Sequence, residues 1–156
     1  MMHYASLYSA DFLFLSEPQM FQADLIQISE YFQGEYCCYL NSDDAHDREL
    51  ALNNRKAKGG TMIMWKKVLD PYVTVDISAA TSSFIPIIFK YPGHSISIHY
   101  AIYLPTSGQE SEFMDALALL ANSIENLRAK YPETIIFIRG DPNVNPKHQN
   151  RVCLLE

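Results

Sequence analysis

Two carboxylates in this sequence stand where ligand chemistry is often done. Glu17 comes two residues after the apolar run Phe12-Leu13-Phe14-Leu15, and Asp141 comes three residues after Thr134-Ile135-Ile136-Phe137-Ile138. Apolar runs of this length read as strands, and in layered α/β proteins ligands gather at the carboxyl ends of strands. Carboxylates gathered there, joined by an amide such as Asn143, offer hard oxygen donors of the kind Mg²⁺ takes. Neither position is specific alone, because an acid after a strand commonly caps a helix or forms a turn. Asp141 in Gly140-Asp141-Pro142-Asn143 has the composition of a plain turn. A third segment, Ile102-Tyr103-Leu104-Pro105-Thr106-Ser107-Gly108, also leaves a strand and enters a helix.

The other reactive side chains carry less. His3, His46, His94, His99 and His148 fall in no metal-binding spacing. His99 alternates with Ile98 and Tyr100, so it is expected on the second side of a strand as an ordinary polar residue. Cys37, Cys38 and Cys153 are odd in number and lack CxxC spacing, which indicates neither a disulfide framework nor a zinc site. Arg55, Lys56 and Lys58 form a small basic patch, suited to phosphate contact or to solubility. Trp65 and the tyrosines read as core and sheet residues rather than base-stacking platforms.

The net charge is −6, and residues 1–54 hold nine acids against one base, Arg48. Nucleic-acid binders are usually basic, so charge alone argues against one. Most of the acidic third is expected to be solvated surface. The chain has 156 residues, 48% of them hydrophobic and 12% aromatic, which sets disorder aside. No 18-residue stretch lacks polar residues, so no membrane span is expected, and the first residues show no signal peptide.

The elements that must position these groups can be read from periodicity. Phe12 to Leu15 is expected to be a fully buried strand. Phe21, Leu25, Ile28 and Phe32 mark one face of a helix, with Gly34 placed to stop it. Tyr36 to Leu40 fits a strand. Residues 41–58 read as a long loop that ends at Gly59-Gly60. Thr61 to Trp65, Tyr72 to Ile77, Phe84 to Phe89 and Ser95 to Ile102 form a run of strands, and Pro86 places its strand at an edge or a bulge. Phe113, Leu117, Leu120, Ile124 and Leu127 define a helix over 109–130, opened by a capping box at Ser107-Gly108-Gln109-Glu110. Thr134 to Ile138 is expected to be another buried strand. The order is strand, helix, β-meander, helix, strand, an α/β arrangement in layers.

Four motifs together resemble a known family. Asp11-Phe-Leu-Phe-Leu-Ser-Glu17, Gly59-Gly60-Thr-Met-Ile-Met, Ile102-Tyr-x-Pro105 and Ile138-Arg-Gly-Asp-Pro-Asn-Val144 follow the order and approximate spacing of the endonuclease/exonuclease/phosphatase superfamily. The resemblance is nearest to the apurinic-like endonuclease domains of non-LTR retrotransposons, and the ending Asn143 to Leu155 resembles that branch in particular. It implies an α/β/β/α sandwich of mixed sheets, with residues 1–156 forming a single partial domain truncated at both ends. It implies a Mg²⁺-dependent (or Mn²⁺-dependent) DNA endonuclease that hydrolyses phosphodiesters, acting as a monomer inside the cell, in the nucleus.

Carried over by residue, the resemblance makes Glu17 the carboxylate that holds the metal. Tyr103 becomes the contact to the scissile phosphate. Asp141 orients or deprotonates the attacking water, and Asn143 binds the phosphate. Thr106 stands where the family has an asparagine, and Pro142 where it has an aromatic residue. The family's final aspartate and catalytic histidine have no counterpart up to Glu156. These departures imply a weakly active or inactive chain. They also keep two rivals in play: a non-catalytic binding module on the same scaffold, and a phosphatase of the same superfamily.

Overall fold

The computed structural model describes residues 10–42, 59–106 and 110–143. Within them lie two sheets and two main helices. Strand β1 (Phe12–Ser16) leads through a 3-10 turn (Gln22–Asp24) into α1 (Leu25–Tyr31), then β2 (Tyr36–Asn41) and β3 (Thr61–Lys66). A second 3-10 turn (Lys67–Tyr72) precedes β4 (Val73–Val75), β5 (Phe84–Phe89) and β6 (Ser97–Tyr103). Helix α2 (Glu110–Lys130) then crosses to β7 (Ile135–Asp141).

The first sheet has the order β1-β3-β2 and is wholly antiparallel. The second has the order β4-β5-β6-β7 and is mixed, because β7 runs parallel to β6. Alternation along each strand sorts the side chains into three apolar layers. Met62 and Met64 of β3 pack with Leu25, Ile28 and Phe32 of the α1 segment. Ile63 and Trp65 point the other way, against Ile85, Ile87 and Ala101 of the second sheet. Ile98, Tyr100 and Ile102 of β6 pack with Leu120, Ile124 and Leu127 of α2. The result is the expected α/β/β/α sandwich.

The helices follow their sequence signals. Asp24 accepts the Phe21 N–H at 2.8 Å, which satisfies a free donor at the entry to the α1 segment. At the exit, Gln33 and Gly34 take positive φ, and the Gly34 N–H reaches back to the Ser29 carbonyl. In α2, Phe113, Leu120, Ile124 and Leu127 are buried as the 3.6-residue period requires. Its capping-box residues 107–109 lie outside the described residues, as do His3, His46, His148, Cys153, the basic patch at 55–58 and the segment after Asn143.

Several expectations are corrected. Phe12–Leu15 is not a fully buried strand: among the described residues β1 is an edge, and Leu15 is 41% exposed. β7 is likewise an edge, with Ile135 56% exposed. A run of apolar residues cannot by itself tell a two-sided strand from an edge strand, because both need one covered face. The strand expected at Tyr72–Ile77 shrinks to Val73–Val75. Pro86 explains why. β5 is an interior strand and pairs with β6 in regular register, so Pro86 marks neither an edge nor a bulge. Pro86 accepts the Asp76 N–H at 3.0 Å but has no N–H to return, so the β4 ladder ends one residue earlier. The proline terminates its partner strand rather than its own. Trp65 is core as expected, its indole N–H donating to Asp70 at 2.9 Å. Among the described residues no helix is long and apolar enough to cross a membrane.

Candidate active site

Strand phase decides what meets at the end of the sandwich. On β1 the positions facing the opposite sheet are Phe12, Phe14 and Ser16. On β6 they are His99, Ala101 and Tyr103, and on β7 they are Phe137, Arg139 and Asp141. The contacts bear out this phase: Phe12 and Phe14 pack with the inter-sheet cluster that includes Ala101. The His99 and Phe137 rings stack, and the Arg139 guanidinium lies over Phe14. Ser16, Tyr103 and Asp141 are therefore the last inward positions of three strands, and they share one end. β6 and β7 are parallel with Tyr103 opposite Asp141, so both strands deliver their carboxyl ends to that place.

The junction is tied by backbone bonds. Ser16 Oγ donates to the Ile102 carbonyl and accepts the Asp141 N–H, each at 3.0 Å. The Glu17 N–H donates to the Gly60 carbonyl at 2.9 Å, so the residue after β1 is fixed to the start of β3. Asp141 in turn accepts the Asn143 N–H at 2.9 Å, a local turn of the kind aspartate favours. Asn143 Nδ2 donates to the Leu104 carbonyl at 2.6 Å, which pulls the loop back over β6.

Tyr103 lies between these groups. Its phenol pKa is pushed above the usual value, first by burial, then by the charge of Glu17 and a hydrogen bond to it, then by the charge of Asp141. A hydrogen bond from Asn143 acts in the opposite sense. At neutral pH the phenol thus keeps its proton, and its single O–H is directed to Glu17. Gly59 lies against its ring: a Cβ there would come within 3.3 Å of Tyr103 Cε1.

Backbone strain collects at the same end. Glu17, Gln19 and Asn143 adopt positive φ of 51°, 54° and 49°. Asparagine tolerates that region, but glutamate and glutamine adopt it rarely, at a cost on the order of 1 kcal/mol or more each. Such outliers persist where the surroundings over-determine them, often at sites of function.

The structure thus brings together Glu17, Tyr103, Asp141 and Asn143. Thr106 is exposed beyond Pro105, and among the described residues no hydrogen bond joins it to the cluster. His99 is not the ordinary polar residue expected. It lies on the second side of β6, but that side is the inter-sheet core, where it is 7% exposed and stacked on Phe12, Phe14 and Phe137. Alternation gave its direction but not whether a second sheet covered that face. Sequence reasoning missed Ser16, since a serine before an acid carries no signal. Gly59-Gly60 read as a loop end, but their tight packing against Tyr103 and Ser42 did not show.

No family model matches the sequence, and no curated protein sequence matches it. Solved structures do. TDP2 from Caenorhabditis elegans superposes with a TM-score of 0.57 at 16% identity, over 93% of this chain and 41% of that one. ANGEL2, described as a 2′,3′-cyclic phosphatase, gives 0.61 at 16% identity over 90% and 41%. The human Nocturnin catalytic domain, solved with a bound sulfate anion, gives 0.54 at 14% identity over 94% and 58%. The chain thus shares the layered α/β sandwich fold of these structures. The chain spans between two fifths and three fifths of the length of these structures.

Proposed function

We propose that this chain carries part of an active site for metal-assisted hydrolysis of phosphate esters, with a DNA phosphodiester as the substrate. The observation that supports it is the gathering of Glu17, Tyr103, Asp141 and Asn143 where β1, β6 and β7 end together. The retroelement-like ending of the sequence favours DNA; the net charge of −6 does not.

The donor set suits a hard cation. Among the described residues no three His, Cys, Asp or Glu side chains form a metal-binding group. Mg²⁺ commonly makes do with one or two carboxylates and completes its shell with waters and substrate phosphate. Glu17, exposed at the junction, would hold Mg²⁺ or Mn²⁺ in that way. A cation there would offset the charge that develops on the phosphoryl and leaving oxygens. The Tyr103 O–H, bonded to Glu17 in the free chain, would turn to a phosphate oxygen once Glu17 held the cation. Asp141 has one oxygen engaged by the Asn143 N–H and a second left to orient a water. The side-chain amide of Asn143, bonded to the Leu104 carbonyl and to the Tyr103 phenol, would hold that phenol in place for the phosphate.

Neither described histidine is tied to this cluster: His99 lies between the sheets and His94 packs on Tyr91. The purified 156-residue chain, with Thr106 and Pro142 in place of the family's asparagine and aromatic residue, is expected to nick supercoiled plasmid only weakly in Mg²⁺. That residual activity should fall about 10²-fold or more in Asp141→Ala, the usual loss when a group that handles the proton is removed. Cleavage that is unchanged in Asp141→Ala and Glu17→Gln would overturn the assignment. A second reading, phosphatase action on a smaller phosphate ester, is favoured by the description of ANGEL2 as a phosphatase. Turnover of a nucleoside 2′,3′-cyclic phosphate without plasmid nicking would select it.

A further inference from the structure

Ser16 occupies a place that strand pairing alone would not give it. In the parallel ladder, the Leu104 N–H reaches the Asp141 carbonyl at 3.0 Å. A regular ladder would continue by sending the Asp141 N–H towards the Ile102 carbonyl. At this same pair the hydroxyl of Ser16, from the other sheet, adds a second link: it accepts from Asp141 and donates to Ile102. Gly140 allows this. It has φ of 134°, open to glycine, and a Cβ there would strike the Ile102 carbonyl oxygen. The ladder stays in register through Gly140, which lies close against Ile102 of β6, and the next N–H is within reach of Ser16.

The consequence is geometric. Ser16 is the residue before Glu17, and its side chain holds the backbone of Asp141. One hydroxyl thus fixes the spacing between the end of the first sheet and the end of the second. Neither of its bonds involves a carboxylate, so the link holds whatever the side chains of Glu17 and Asp141 bind.

We infer that Ser16 is a positioning residue, which sets Asp141 against Glu17 by bridging the Asp141 amide to the Ile102 carbonyl across the sheets. The inference rests on the hydrolytic reading above for its catalytic consequence, and on the hydrogen bonds alone for the bridge.

The test compares Ser16→Ala and Ser16→Thr in the full chain. Amide hydrogen exchange read by NMR should show the Asp141 N–H exchanging at least about tenfold faster in Ser16→Ala, as expected for loss of one hydrogen bond. Ser16→Thr, which keeps the hydroxyl, should restore protection. With bis(p-nitrophenyl) phosphate and Mn²⁺, Ser16→Ala should lower kcat about tenfold at unchanged KM, the split expected when positioning rather than binding is lost. Unchanged exchange at Asp141 in a folded Ser16→Ala chain would overturn the inference. So would faster exchange with unchanged kcat. If Ser16→Ala does not fold, Ser16→Cys, similar in size but a weak donor, takes its place under the same two criteria. If the wild-type chain and Asp141→Asn hydrolyse the ester equally, the hydrolytic reading fails instead, and exchange at Asp141 still decides the bridge.

Discussion

The N–H of Glu17 donates to the carbonyl of Gly60 at 2.9 Å, so the proposed metal carboxylate is anchored through the glycine that precedes the neighbouring strand. Gly60 itself has φ of 88°, and a Cβ there would come to 2.5 Å from Ser42 Cβ and 2.7 Å from the Asn41 carbonyl oxygen. Neither contact is with the far end of a flexible chain. Gly60→Ala is therefore expected to destabilise the fold by roughly 1–3 kcal/mol, through strain and crowding together. Urea unfolding checks this. A midpoint equal to that of the parent would show that the β2 end gives way freely.

Tyr103 reports on its neighbours. Burial is the larger cause of its raised pKa, and the Glu17 carboxylate is the next. Glu17→Gln should bring the phenol midpoint down, but not fully to the ordinary value, since burial remains. The ¹³C resonance of the labelled Tyr103 ring, followed through alkaline pH, measures this. A midpoint insensitive to Glu17→Gln would separate the two side chains. For folding the sign is the reverse of the usual carboxylate case. The folded phenol loses its proton later than the unfolded one, so its contribution is intact below the ordinary tyrosine pKa and is lost as pH rises through the folded value.

His99 gives an acid-side signature. Burial among aromatic rings, helped by the nearby Arg139 charge, lowers its pKa from 6.5 to about 4. Between those values the unfolded chain binds a proton that the folded chain does not, so stability should fall as pH drops from 6.5 towards 4. Above that window His99 contributes no slope. His99→Phe keeps a ring in the stack and removes the titration. The difference in Tm between the two proteins should therefore vary with pH inside the window and be flat above it. A difference that is flat throughout would mean that the imidazole reaches water.

How far the site could be read from the sequence depends on what kind of information each residue carries. Glu17 and Asp141 were legible because each follows an apolar run, and strand ends collect ligands. Period-2 alternation also gives the face of each side chain, which is why Tyr103 and Asp141 share a phase with His99 and Phe137. Alternation does not say which strands are neighbours. The pairing of β3 with β1 and β2, rather than with the meander that follows it, depends on contacts across the chain that no local pattern encodes. Pro86 misled for the same reason: its missing N–H placed its own strand at an edge or a bulge, but the ladder it ends is that of β4. Ser16 was silent because its role needs two partners, Ile102 and Asp141, that are remote in sequence.

The Ser16–Asp141 link joins residues 125 positions apart. Closing so long a loop is entropically unfavourable and slow compared with forming a hairpin or a helix, and contacts of this range are the ones that delay folding. The antiparallel pairs and α2 can form from near neighbours; the site cannot. Both sheets must already be docked before Glu17, Tyr103 and Asp141 meet. A partly folded chain therefore has its strands and helices before it has any chemistry, and appearance of the cluster is a marker that folding is complete.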